Sequence, residues 1–105
     1  MLTRIIECFS TPSKVDEMRD KVRNELLPKL HKQPGFVDLI ALCDNREARR
    51  MILLSFWNAQ QNTEGHHREH YDVVLRILGP VLEGSPTFES LKVETSTVHR
   101  LAAAA

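Results

Sequence analysis

Residues 51–57 read MILLSFW, and residues 36–43, shortly before them, read FVDLIALC. Each run has strand length and is rich in aromatic and branched residues. Asp44-Asn45-Arg46-Glu47 separates them as a polar turn. Phe36–Cys43 and Arg50–Trp57 are therefore expected to form an antiparallel hairpin. Both strands are almost continuously apolar, whereas an antiparallel sheet normally keeps one face polar. A sheet covered on both faces is the better expectation. Helices cover one face, and a chain of 105 residues has no further layer of its own for the other. A partner subunit, and hence a homodimer, follows as the expectation.

Upstream of the hairpin, residues 2–9 mix Leu, Ile, Cys and Phe with Thr, Arg and Glu, the pattern of a half-buried strand. Thr11-Pro12 breaks it. Thr11 is a candidate helix cap with Pro12 as first helical residue, and Ser13 to Asp16 offers an alternative capping box. Val15, Met18, Val22, Leu26 and Leu30 recur at spacings of three and four, which predicts a helix over 12–31. Pro28 should bend or tighten its last turn, and Pro34-Gly35 marks the turn into the hairpin.

Downstream, Asn58 is a candidate cap, with Gln61 three residues on. Gly65 is expected to interrupt the helical segment that follows. Tyr71, Val74, Leu75 and Leu78 form its apolar stripe, ended by Gly79-Pro80. Phe88–His99 reads as the last strand. The order is βαββαβ, an α+β chain of ferredoxin-like topology with an antiparallel sheet and helices on one face. Residues 1–99 form the expected single domain, and 100–105, ending in four alanines, a tail.

Composition narrows the function classes. Fourteen basic and fourteen acidic residues cancel. The first fifty residues carry 10 basic and 8 acidic, the remainder 4 and 6. Neither balance suits a nucleic-acid binder or an anionic-membrane binder working by bulk charge. No apolar run approaches the roughly 18 residues of a membrane span. The start MLTRIIECF is not a secretory signal, so a cytoplasmic protein is expected. Cys8 and Cys43 are expected to stay unpaired, small apolar residues at strand ends. In this topology the first and second strands are separated by the third, beyond the roughly 7 Å a disulfide can bridge. Met18 and Met51 read as core, and His31 and His99 as solvent-exposed.

His66, His67 and His70 are the densest polar feature. Positions 66 and 70, and 67 and 70, share a helix face. Three readings stand side by side: an exposed polar helix start, a general base or substrate contact, or a pair of divalent-metal ligands. The pattern HHREH is not the HExxH motif, because His67 follows the first histidine. Trp57 reads as core, or as a pocket wall stacking on an aromatic substrate. Asn58 is a cap or a hydrogen-bond donor at a pocket rim. Tyr71 is buried, or presents its hydroxyl to a pocket. No nucleotide-binding GxGxxG or Walker loop is present.

Three segments together carry a family resemblance. They are Gln33-Pro34-Gly35-Phe36-Val37, then Leu54-Ser55-Phe56-Trp57-Asn58-Ala59-Gln60 with His66-His67, then His70-Tyr71 through Leu78-Gly79-Pro80-Val81-Leu82. In order and spacing, over roughly residues 2–97, the chain resembles the antibiotic biosynthesis monooxygenase (ABM) domain family. That resemblance implies a dimeric α+β barrel. Members include cofactor-free oxygenases of aromatic polyketides and quinols, haem-degrading enzymes, and domains of no known activity. The haem-degrading branch uses an Asn on the first strand, which this chain lacks. The implied function is a cofactor-independent monooxygenase acting on or binding a small aromatic or quinone-like molecule, with no cofactor and no metal. His66, His67 or His70 would then be the base, and Trp57, Asn58 and Tyr71 would contact substrate. The alternative is a non-catalytic ligand-binding or dimerisation module on the same fold.

Overall fold

The structure, a computed structural model, describes residues 1–58 and 64–99, with backbone only for 64–67. Strand β1 (Leu2–Phe9) leads into helix α1 (Val15–Lys21), a π-helical turn (Val22–Leu26) and helix α2 (Leu27–His31). The hairpin β2 (Phe36–Cys43) and β3 (Arg50–Trp57) follows as expected. Helix α3 (Glu64–Leu78), a 3-10 turn (Gly79–Val81) and β4 (Thr87–Lys92) complete the order. The sheet runs β2-β3-β1-β4, with every neighbouring pair antiparallel. This is the expected ferredoxin-like α+β arrangement.

Strand alternation sorts the side chains. On β1, Arg4, Ile6 and Cys8 are buried. On β3, Met51, Leu53, Ser55 and Trp57 are buried, and the register sets Arg4 against Ser55, Ile6 against Leu53 and Cys8 against Met51. These residues form the floor of the core. Met18, Val22, Leu26 and Leu30 close it from the first helical segment, and Val74, Ile77 and Leu78 from α3. The opposite face carries Ile5, Ile40, Ile52, Leu54, Phe56 and Leu91, with Ile40 and Leu91 exposed.

Several boundaries differ from expectation. The first helix begins at Val15, not at residue 12, and Lys14 occupies the cap position without a side-chain hydrogen bond. Thr11 and Pro12 instead belong to a turn in which the Lys14 N–H meets the Thr11 carbonyl at 3.0 Å. The last turn ends tightly, with the Lys32 and Gln33 N–H groups on the Lys29 and Leu30 carbonyls, but the turn before Pro28 is widened. Pro28 has no N–H, and its ring crowds the carbonyl four residues back, that of Asn24. The helix answers with a π turn, in which the Leu27 N–H bonds the Val22 carbonyl. Gly65 does not interrupt α3, which runs unbroken from Glu64 to Leu78. A glycine costs a helix about 1 kcal/mol, a penalty that fifteen residues with a packed stripe absorb. The expected Asn58–Gln61 capping box lies partly outside the described residues. Asn58 itself is exposed, and its N–H bonds the Gly35 carbonyl at 2.8 Å.

The last strand ends at Lys92, not at His99. Lys92 faces Leu2, the first residue of β1, and one further bond joins the Val93 N–H to the Met1 carbonyl. Beyond it the chain turns on Ser96, whose hydroxyl accepts from the Val98 and His99 N–H groups at 3.2 and 2.9 Å. His99 is not solvent-exposed as expected. Its side chain is 6% exposed, lies on Phe56 with ring centroids 4.5 Å apart, and sets Nε2 2.6 Å from Asp38 Oδ2. Cys8 is buried as expected, whereas Cys43 is exposed because β2 is an edge strand. Both pair in register with Met51 on the strand between them, and both thiols are free. Among the described residues no helix is long and apolar enough to cross a membrane.

Candidate functional site

Trp57, Ser55 and Arg4 come together because alternate residues of β3 share a face and Arg4 pairs with Ser55 across β1. The Trp57 indole Nε1 donates to Ser55 Oγ at 2.8 Å. Ser55 Oγ in turn lies 3.4 Å from the Arg4 carbonyl, to which it donates. The Arg4 guanidinium lies over the indole, its Cζ 4.9 Å from the ring centroid, the geometry of a cation–π contact. Burial of Arg4 pulls its pKa below the ordinary arginine value, since a cation loses hydration there.

Helix α3 supplies the fourth member. His70, Val74, Ile77 and Leu78 are buried, at spacings that put them on one helix face. His70 is 1% exposed. Its ring meets Trp57 edge-on at 5.0 Å and Phe88 of β4 at 5.6 Å. Nε2 stands 3.5 Å from Ser55 Oγ, so the hydroxyl bridges the indole and the imidazole. While the hydroxyl donates to the Arg4 carbonyl, Nε2 must be the donor to Oγ; in the other tautomer the hydroxyl turns from Arg4 to His70. The result is a buried imidazole in an aromatic enclosure, backed by a cation and a hydroxyl.

Beside this cluster an open cavity of about 350 Å³ lies between α3 and β4, lined by Arg68, Tyr71, Pro86 and Phe88. Phe88 belongs to both: it lines the cavity, and its ring is met by Tyr71 at 5.1 Å and by His70 at 5.6 Å.

The expected residues divide accordingly. Trp57 and His70 are brought together, and Tyr71 reaches the adjoining cavity. Trp57 is 1% exposed and enclosed by Phe36, Arg4 and His70, so it is packed as core. Asn58 sits exposed at the strand end. His66 and His67 lie on the first turn of α3, and their side chains are outside the described residues. The reading of the histidines as an exposed helix start fails for His70, which takes the core position that Tyr71 was expected to hold. For the metal reading, no group of three ligand-type side chains is found among the described residues.

Arg4, Ser55, Arg68 and Phe88 were not singled out from the sequence. Strand period carried two of them: Arg4 alternates with Ile6 and Cys8, and Ser55 with Leu53 and Trp57. His70 stands four and seven residues before Val74 and Ile77, a spacing that marks it as inward-facing.

Comparison with known proteins agrees with this geometry at the level of fold. Among solved structures, an antibiotic biosynthesis monooxygenase is 18% identical with a TM-score of 0.70, covering 90% of this chain and all of its own. A Bordetella bronchiseptica protein described as a putative antibiotic biosynthesis monooxygenase is 9% identical with a TM-score of 0.73, covering 90% of this chain and 97% of its own. SnoaB, a cofactor-independent oxygenase from Streptomyces nogalater, is 10% identical with a TM-score of 0.69, covering 93% and 97%. No curated protein matches the sequence. The family model for antibiotic biosynthesis monooxygenase matches residues 1–72, which include β1, the hairpin, Trp57 and His70, and the chain belongs to that family.

Proposed function

We propose that this chain is a cofactor-independent monooxygenase acting on a small aromatic or quinone-like molecule, with His70 as general base. One observation carries the reading. A buried imidazole lies between Trp57 and Phe88, its Nε2 near the Ser55 hydroxyl, one aromatic ring away from an open cavity. A base in such a place can take a proton from an activated C–H or O–H group once the Phe88 ring turns aside and the imidazole comes within hydrogen-bond reach. The resulting anion is its own electron source for dioxygen. For an activated ring methylene, the methylene and one dioxygen give a ring carbonyl and one water. One oxygen atom enters the carbonyl, the other leaves as water with both methylene hydrogens, and all four electrons come from substrate carbon. His66 and His67 remain candidate bases, and Trp57, Asn58 and Tyr71 candidate substrate contacts. The working form is a homodimer in the cytoplasm. The apolar outer sheet face supports the first, and two unpaired thiols the second.

A second reading has its own support. Trp57 and His70 are each 1% exposed and packed directly against neighbouring side chains. That closure suits a binding or dimerisation module on the same fold. Oxygen uptake against a panel of hydroquinones, anthrones and polyphenols separates the two. The first reading expects uptake that falls about 10²–10⁴-fold in His70→Gln, with the variant still folded by its thermal melt. Full activity in His70→Gln puts the base elsewhere, with His66→Ala and His67→Ala tested next. No uptake across the panel, with aromatic binding retained, supports the module.

A further inference from the structure

The cavity between α3 and β4 has a chemical asymmetry. Tyr71 and Phe88 form an aromatic corner, their rings edge-to-face at 85°, and buried Pro86 extends the apolar wall. At the open side stands Arg68, exposed, the one charged group in the lining among the described residues. No ion pair of Arg68 occurs among the described residues. Asp72, one helical turn further along, is exposed and lines no part of the cavity, and neither does Glu69. The volume of about 350 Å³ falls at the lower end of the roughly 300–1,000 Å³ typical of small-molecule sites. It has room for a ligand of two or three fused rings.

We propose that this cavity is the mouth of the site and selects an aromatic acid. The ring packs into the corner of Tyr71 and Phe88, and the carboxylate is held by the Arg68 guanidinium. Arg68 is then a specificity-determining residue, and the substrate class narrows from aromatic molecules in general to aromatic carboxylates. The physical reason is the pairing of a planar fork of N–H donors with a carboxylate, next to rings that offer stacking area. An acid anchored at Arg68 lies with its ring against Phe88, the ring that His70 also meets. This inference rests on the aromatic-ligand reading above.

Two probes of equal ring size test it on the full chain: 2-naphthoate and neutral 2-naphthalenemethanol, titrated by calorimetry. The indole N–H signal of Trp57 is followed in parallel. Trp57 is the single tryptophan, so that signal is unique, and its donor is bonded to the hydroxyl that approaches His70. The expected result is that 2-naphthoate binds about fivefold tighter than the alcohol, the scale of a partly screened ion pair. Both probes should shift the Trp57 signal. Arg68→Gln should bring the ratio to about one and leave the alcohol's affinity unchanged, and Arg68→Lys should restore only part of it. Equal affinities in the wild type, or a ratio that survives Arg68→Gln, overturn the Arg68 assignment. If both probes still shift Trp57 in that case, the aromatic-ligand reading stands without it. If neither probe binds, both fall.

Discussion

His70 changes character once its surroundings are known. In the sequence it belongs to the polar string HHREH and looks solvated. In the structure it is the inward residue of α3, bracketed by Trp57 and Phe88. The string obscured a spacing that was present, since His70 precedes Val74 and Ile77 at helical intervals. Trp57 was legible as a key residue, because it ends the strand that decides the fold. Its packing was not, since whether an indole lines a pocket or fills one depends on Phe36, Arg4 and His70 arriving from three other segments. The two cysteines give a test at this scale. Burial, with the neighbouring Glu7 charge adding to it, pushes the Cys8 thiol up to about 11, so almost none is thiolate near neutrality. Cys43 is exposed. Iodoacetamide at pH 7.5 should modify Cys43 alone in the native protein and both thiols in denaturant, as read by peptide mass spectrometry. Native labelling of Cys8 at a rate comparable to Cys43 would show that the core floor is open.

Among the elements, the hairpin was the most legible and the helix ends the least. Phe36–Cys43 and Arg50–Trp57 matched their expected bounds, because two apolar runs around a polar turn leave little choice of register. The turn has its own chemistry. Asp44 Oδ1 accepts the Arg46 and Glu47 N–H groups at 2.7 and 3.2 Å, and Oδ2 accepts Arg50 Nη1 at 3.0 Å. The Arg46 backbone bond foremost, then the Arg50 side chain, holds the Asp44 carboxyl below its ordinary value of 3.8. A depressed folded-state pKa stabilises the fold above the unfolded value, and that contribution is lost as pH falls through the folded one. Asp44→Asn should therefore lower the urea midpoint at pH 7, and the gap from wild type should narrow as the pH falls below the ordinary value of 3.8. A gap that stays constant as the pH falls from 7 to well below 3.8 would mean that charge at Asp44 is irrelevant to the turn. The π turn and the early end of β4 were not legible. The first depends on how a helix accommodates Pro28, the second on where β1 stops offering partners. The turn at Ser96 that lays His99 on Phe56 follows from the second. No local pattern in Val93–His99 announced it.

The whole molecule presents one face covered by helices and one left apolar. Leu54 sits at the middle of the uncovered face, opposite Ile5 on β1 and Ile40 on β2. Charge lies at its margins, with Glu89 opposite Ile5 on the edge strand β4. Arg50 bridges Glu7 and Asp44 at one end, and Asp38 meets His99 at the other. An apolar centre with a polar rim is the anatomy of a protein interface, and exposed Ile40, Leu42 and Leu91 are costly to leave in water. This much was legible in the two-sided apolar strands. Which charges form the rim was not, because Arg50–Glu7 and Asp38–His99 join residues 43 and 61 positions apart. A second copy is expected to cover this face, leaving each His70 cluster whole beneath its own helices. An interface of this kind commonly buries about 2,000 Å² or more. Sedimentation equilibrium at about 10 µM, a concentration chosen because such interfaces hold in the micromolar range and below, is the most direct measurement. The wild type should give about twice the chain mass of 12.0 kDa, and Leu54→Asp should give a folded single chain. A wild-type protein that sediments as a single 12.0 kDa chain would contradict the claim.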